Sequence, residues 1–160
     1  MTESWPVAEL DAVARLRVVA RSRSGGLFAE RLLPVPMDVV WPLVADLEHT
    51  IPHLLPDVTA FRVTSAHGDR LQALVRGRAG VRGRFEVALS TGWCLMQGRF
   101  VLGGMAAVPD GDNTRFAFLG SFRLPGGRVL RPLLRPVLDP LGERYVATVL
   151  DRLSALVEPT

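Results

Sequence analysis

Apolar and polar residues alternate with a period of two from Val58 to Arg123, then recur every three or four residues from Leu130 onward. The change of period divides the chain into a meander of strands and a closing helix. Upstream, Leu27–Leu33 predicts a first strand. Pro34 and Pro36 end it, since proline withholds a ladder donor. Val39, Val40, Leu43, Val44 and Leu47 then recur at helical spacing, with Pro42 expected to shorten or kink that helix. A second short helix is expected around Ile51–Leu55, ending at Pro56-Asp57.

Within the meander, His67-Gly68-Asp69 separates Val58–Ala66 from Arg70–Arg78. With Ala79, Gly80 and Val81 as the next loop, Arg78 faces Arg82 and Arg76 faces Arg84. Leu71, Ala73, Val75 and Gly77 then share a face with Gly83, Phe85, Val87 and Leu89. Arg70, Gln72, Arg76, Arg78, Arg82, Arg84 and Glu86 take the other face. This predicts an antiparallel sheet with an apolar inner side and a wet outer side. Runs at Trp93–Leu102 and Met105–Val108 follow, divided by Gly103-Gly104, and Pro109–Asn113 is a turn. Thr114–Arg123 places Thr114, Phe116, Phe118, Gly120 and Phe122 on one face. Glycines on inner faces let a sheet bend sharply and leave space beside it.

In the closing segment Pro132, Pro136 and Pro140 recur every four residues. The regular helix is therefore expected to start with Asp139 as cap and Pro140 in first position. A kinked or irregular stretch would precede it and line a cavity mouth. Residues 1–26 predict an N-terminal extension: a short helix opening at Ser4 before Trp5-Pro6, an extended arm beyond Arg15, and a turn at Ser24-Gly25-Gly26. Residues 27–157 form the single expected domain.

That domain resembles the START/Bet v1-like (SRPBCC) superfamily, the helix-grip fold, and most closely its polyketide cyclase/dehydrase and lipid-transport branch. The resemblance is carried by Glu30 to Leu47, by Gly104 to Arg115 with its Pro-Asp-Gly-Asp-Asn-Thr-Arg hairpin, and by the closing helix. It implies an α+β fold: a curved antiparallel β-sheet wrapped around a long C-terminal α-helix, with two short helices after the first strand. It implies binding of a small hydrophobic or aromatic ligand, lipid- or polyketide-like, in the cavity between sheet and helix. The alternative is a polyketide cyclase/dehydratase-type enzyme using the same cavity. The proline-rich approach to the final helix and the N-terminal extension depart from the family pattern.

Composition narrows the partners. All 19 basic residues are arginine, the net charge is +3, and the pI is about 10.3. Only Cys94, Tyr145 and the N-terminal amine titrate between neutrality and the arginine range, so the pI is inflated by a small charge. Nucleic acid, which needs a concentrated basic surface, is not an expected partner. No apolar run approaches the ~20 residues of a membrane span, so stable membrane insertion is not expected. Glu3, Glu9 and Asp11 do not suit a signal peptide, and a cytoplasmic location is expected. One cysteine excludes an internal disulfide, an iron–sulfur cluster and a cysteine-based zinc site. Cys94 is expected to be a buried, inert thiol, and no cofactor is expected.

The inner-face aromatics Phe61, Phe85, Phe116 and Phe118, with Trp41 and Tyr145, are the expected ligand-binding residues. Tyr145, His49 and His53 are the candidates for proton transfer should the cavity be catalytic. Asp46-Leu-Glu-His49-Thr-Ile-Pro-His53 resembles the mononuclear iron motif of Rieske-type oxygenases. By that resemblance His49 and His53 would be ligands and Asp46 a bridging acid. The second spacing is one residue short, no third carboxylate ligand matches, and no cluster could deliver electrons. The Arg76, Arg78, Arg82, Arg84 patch and Arg128, Arg131 and Arg135 among leucines suit an acidic or acyl-carrier partner or a membrane surface. Solvated faces account for them equally simply.

Overall fold

The period-two runs are strands, and their register decides which side chains face inward. The computed structural model describes residues 9–23, 26–123 and 127–158, and the side chains of all of these except 127–131. The order is α1 (Ala12–Arg21), β1 (Gly26–Leu33), α2 (Met37–Ala45), α3 (Leu47–Leu54), β2 (Val58–His67), β3 (Arg70–Gly77), β4 (Arg82–Ser90), β5 (Trp93–Gln97), β6 (Val101–Asp110), β7 (Asn113–Phe122) and α4 (Gly127–Val157). All seven strands join one antiparallel sheet in the order β1-β7-β6-β5-β4-β3-β2. The chain therefore meanders from β2 to β7, and β1 pairs with β7 at the far edge. This is the expected helix-grip order, a curved sheet with a long C-terminal helix.

The β3–β4 faces are as expected, but the pairing is shifted by two residues. Arg76 opposes Arg82 and Leu74 opposes Arg84, because the loop spans Gly77–Val81 and carries a 3-10 turn at Arg78–Gly80. A shift of two preserves the alternation, so no side chain changes face. On edge strand β2, register shifts at Thr59 and Thr64 mark bulges. The Thr59 hydroxyl donates to the Arg76 carbonyl at 3.0 Å and the Thr64 hydroxyl to the Gln72 carbonyl at 3.1 Å. Bulges sharpen the twist of an edge strand and help the sheet curl. The Glu48 carboxylate of α3 accepts from the Val63 N–H of that edge at 2.7 Å.

Four expectations on local structure are corrected. The stretch beyond Arg15 is helix, not an extended arm: Asp11 accepts from the Ala14 N–H at 2.8 Å and caps α1. Val13, Leu16 and Ala20 then bury one helical face on Leu102, Ala106, Ala117 and Leu119, on the outer side of β6 and β7. The outer side is thus wet only in part. Gly103-Gly104 lies inside β6 rather than between strands, and the break falls at Gly98-Arg99-Phe100. Gly104 is needed for close approach: a Cβ there would lie 2.7 Å from Leu16 Cδ1. Finally, α4 begins at Gly127 and runs through Pro132, Pro136 and Pro140 without a break. The second short helix also starts earlier than expected, at Leu47. The expected helix start at Ser4 and part of the Ser24-Gly25-Gly26 turn fall outside the described residues. Among the described residues, no helix is long and apolar enough to cross a membrane.

Because Leu16 is fully buried under α1, Leu16→Ala should destabilise the fold by about 2–5 kcal/mol. Val18→Ala, at a position 53% exposed on the same helix, should change stability by no more than about 0.5 kcal/mol. Denaturant unfolding of the two variants measures both. Equal, small effects would mean that α1 is not part of the cooperative core.

Candidate functional site

The inner face of the sheet is closed at one end and open at the other. At the closed end α2 and α3 set Val40, Trp41, Val44, Leu47, Ile51 and Leu54 against the sheet. Phe116 is fully buried there, and Trp41, Phe61 and Phe118 are buried beside it. These four expected ligand-binding residues are core in this structure.

The second half of α4 closes the β1 side. Gly142 meets Leu27 of β1, and Val146, Val149, Leu150, Leu153 and Val157 are buried beyond it. Arg31 of β1, on the same face of the strand as Leu27 and Leu33, ties down the helix by donating to Asp151 Oδ1 at 2.8 Å and to Ser154 Oγ at 3.3 Å. The stretch of α4 from 132 to 141 does none of this. Every residue from 132 to 141 is exposed, with Leu133 at 76% and Val137 at 61%.

The helices make their main contacts with β1, β2, β6 and β7. On β3 and β4 the inward residues Leu71, Val75, Phe85 and Leu89 are apolar but only half-buried. Between this open face and α4 lies an inner row Val87–Met96–Gly103–Gly120–Leu27, read across the strands. Its two adjacent glycines make room for folded-over neighbours. Met96 Cε covers Gly103, 3.2 Å from where a Cβ would stand, and the Phe118 ring covers Gly120 at 3.5 Å. The Phe85 ring lies across Gly83 and Gly98, at 3.1 and 2.8 Å from their notional Cβ positions. Where the chamber between sheet and helix is expected, the half-buried Leu71, Val75, Phe85 and Leu89 surround the buried Ala73 and Val87 on the inner face of β3 and β4. Two clefts lie elsewhere, beside α1 and at the β5–β6 turn.

Tyr145 is the one candidate that joins this face to polar chemistry. It packs half-buried against the core from α4, and its hydroxyl donates to Asp57 Oδ1 at 2.6 Å. Burial first, then the hydrogen bond and charge of Asp57, push its pKa far above the ordinary phenol value. Asp57 was legible only as a turn residue after Pro56; nothing in its spacing announced a tyrosine 88 positions away. His49 and His53 lie on the exposed side of α3. His49 Nδ1–H donates to Asp46 Oδ1 at 3.0 Å, and this bond and the Asp46 charge raise its pKa. His53 Nδ1–H donates to the His49 carbonyl at 2.6 Å, which leaves its Nε2 toward solvent. Neither ring is bonded to Tyr145. Among the described residues no three His, Cys, Asp or Glu side chains gather as a metal site. Cys94 is buried, and desolvation pushes its thiol up to about 12. In that protonated state it is a poor nucleophile. Arg135 sits 3.8 Å from Asp139, while the side chains of Arg128 and Arg131 lie outside the described residues.

No family model matches the chain, and no curated protein matches it. Solved structures do. A Thermus thermophilus protein, TTHA0849, is similar over 82% of this chain and 96% of its own, with 25% identity and a TM-score of 0.64. The ZhuI aromatase/cyclase from a Streptomyces species is 16% identical over 82% of this chain and 92% of its own, with a TM-score of 0.61. A START superfamily protein from Mycobacterium smegmatis is 18% identical over 83% and 99%, with a TM-score of 0.52. With the topology described above, these likenesses establish the START/Bet v1-like (SRPBCC) helix-grip fold for this chain.

Tyr145 is the only tyrosine, so tyrosinate absorbance reports it alone. In the folded protein the phenol should stay protonated well past its usual titration near pH ~10. Since the folded-state pKa is raised, its stabilising contribution is complete below the unfolded pKa. It is lost as pH rises through the folded value. Asp57→Ala should lower the titration midpoint but leave it above that of an exposed tyrosine, because burial is the leading cause.

Proposed function

We propose that this protein binds a small apolar or aromatic molecule, lipid- or polyketide-like, on the inner face of β3 and β4 under the first half of α4. The observation that carries the reading is the uncovered apolar pair of surfaces. Leu71, Val75, Phe85 and Leu89 are half-buried on the sheet, and Leu134, Leu138 and Leu141 are exposed on a helix that leads into the core at Tyr145. A ligand that inserts between such surfaces gains from apolar area removed from water, at roughly 25 cal/mol per Å² before the entropy of binding is counted. Phe85, Met96 and Phe118 lie over glycines, and a turn of Met96 away from Gly103 would deepen the face without moving a strand. The aromatase/cyclase similar to this chain fits a site for ring-bearing substrates. A cytoplasmic location belongs to the same proposal.

The Tyr145–Asp57 pair favours a second reading, a cyclase/dehydratase-type enzyme in the same place. The Asp57 carboxylate takes the phenol proton in a hydrogen bond, so the Tyr145 oxygen at the border of the apolar face is oriented to accept a hydrogen bond from a substrate hydroxyl, a positioning group rather than a strong acid. Its signature would be a Tyr145→Phe variant that binds as before and turns over a polyketide-like substrate far more slowly.

Native mass spectrometry of freshly purified protein should show a bound organic mass, or the apo protein should bind N-phenyl-1-naphthylamine with enhanced fluorescence. Val75→Asp places a charge on the open face and should weaken that probe at least about tenfold, since an unpaired carboxylate there must be desolvated. Arg70→Ala on the outer side should leave it unchanged. Equal binding by wild type and Val75→Asp would sink the proposal.

A further inference from the structure

We propose that Arg23, Arg99 and Arg123 form a binding site for a phosphate-type oxyanion. The three come from separate parts of the sequence. Arg23 follows α1, Arg99 lies in the β5–β6 turn, and Arg123 follows β7. The sheet brings them together: Val101 opposes Phe122, and Gly26 opposes Ser121. All three line one cleft of about 70 Å³ with Gln97, Phe100 and Ser121. That is on the order of two water volumes, at ~30 Å³ each, enough for one tetrahedral oxyanion.

Each arginine is placed by a contact that leaves its guanidinium N–H donors available, a ring face for Arg99 and backbone hydrogen bonds for Arg123 and Arg23. The Arg99 guanidinium stacks 5.2 Å over the Phe100 ring. The Arg123 N–H donates to the Phe100 carbonyl at 2.7 Å. The Arg23 N–H donates to the Ala20 carbonyl at 3.2 Å, in the turn that ends α1. Four arginines elsewhere are neutralised by acids, Arg17 by Glu30, Arg31 by Asp151, Arg115 by Asp11 and Arg135 by Asp139, whereas the other unpaired ones do not line this cleft. Among the described residues, no carboxylate pairs with Arg23, Arg99 or Arg123. Three arginines lining one cleft put like charges near one another, and a multiply charged anion bound there offsets that repulsion. Guanidinium forks match the oxygens of phosphate in pairs, which lysine does not. A phosphate monoester, carrying close to two negative charges at neutral pH, answers three cations better than a lone carboxylate does. The wider cleft beside α1 makes the contrast: its Arg17 already has Glu30.

Calorimetry and arginine side-chain NMR with inorganic phosphate and with glycerol 1-phosphate, at constant ionic strength, test the site. Saturable binding is expected, with shifts centred on the Arg99 and Arg123 side chains and the Gly98 and Ser121 amides. Arg99→Ala and Arg123→Ala should each weaken it by about tenfold or more, and Arg99→Lys should restore it only in part. Arg82→Ala on the β3–β4 hairpin should not affect it. Saturation by glycerol 1-phosphate assigns the anion to a free organic phosphate. Binding to phosphatidate vesicles alone, abolished by the same two variants, assigns it to a lipid headgroup. No saturable binding to any of these probes, or an equal loss in Arg82→Ala, overturns the site.

Discussion

The architecture hangs on one close approach between α4 and β1. A methyl group on Gly142 would lie 2.4 Å from Leu27 Cδ2, so a larger residue there would have to turn the Leu27 side chain out of its place between helix and strand. Glycine inside a helix costs ~1 kcal/mol relative to alanine. Here the cost is offset by the burial that follows it. Past Gly142 the helix sinks Val146, Val149, Leu150 and Leu153 into the core, and Arg31 clasps Asp151 from the edge strand. Among the described side chains before Gly142, those of 132 to 141, none is buried. One contact thus separates an anchored half from an overhanging half, and the open face exists because of that division.

A seven-stranded sheet that is apolar on both sides of β6 and β7 needs cover on both. α1 covers the outer side and α2 the inner, where Met105, Phe116 and Phe118 lie. α3 covers β2 and bonds its edge through Glu48. The helices are then spent, and β3 and β4 keep arginines outward and apolar residues inward with no helix of their own. The curl needed to bring β2 round comes from the Thr59 and Thr64 bulges and from the glycine pair Gly103–Gly120. The same glycines that permit the curl give Met96 and Phe118 somewhere to lie. Curvature and adaptable space therefore have one cause.

How far the sequence could be read depended on whether a signal was local. Alternation in β3 and β4 is local, and it assigned every face correctly even with the loop misplaced, because the error was an even number of residues. Gly103-Gly104 misled because a glycine pair marks a turn in most chains. Here the reason for Gly104 is Leu16, some 88 residues earlier by the numbering, which no window contains. In α1 the alternation of arginine and apolar residues beyond Arg15 suggested an extended arm. The capping geometry of Asp11 and the Val13, Leu16, Ala20 spacing outweighed it once the sheet offered a surface to cover. The aromatics show the same limit. Periodicity placed Phe85, Phe116 and Phe118 on one inward side, yet only the packing of α2 and α3 decides that Phe116 is core and Phe85 borders the opening. The arginine cleft was not legible at all, since Arg23, Arg99 and Arg123 meet only through the register of four strands.

The three prolines of α4 were read as a bar to regular helix, and the reason they are tolerated bears on what the overhang does. Proline lacks the N–H that would reach the carbonyl four residues back. The carbonyls of residues 128, 132 and 136 therefore have no helical donor, and they fall on one side of the helix. Leu134 and Leu138 each stand two residues, about 200° around the axis, from a proline. The overhang is thus two-sided in its backbone as well as in its side chains. Its proline side must stay in water to satisfy those carbonyls, whereas its leucine side carries apolar surface that water does not reward. A groove that wrapped the helix all round would strand the carbonyls. A flat apolar body laid against one side would not, and the half-buried face of β3 and β4 offers the matching surface for the other side of such a body. Residues 132 to 141 have little packing of their own, so their position costs little to change, and a ligand bound as proposed would meet there the most yielding part of α4. The prolines lie in that weakly held stretch, and Gly142 marks the start of the anchored one.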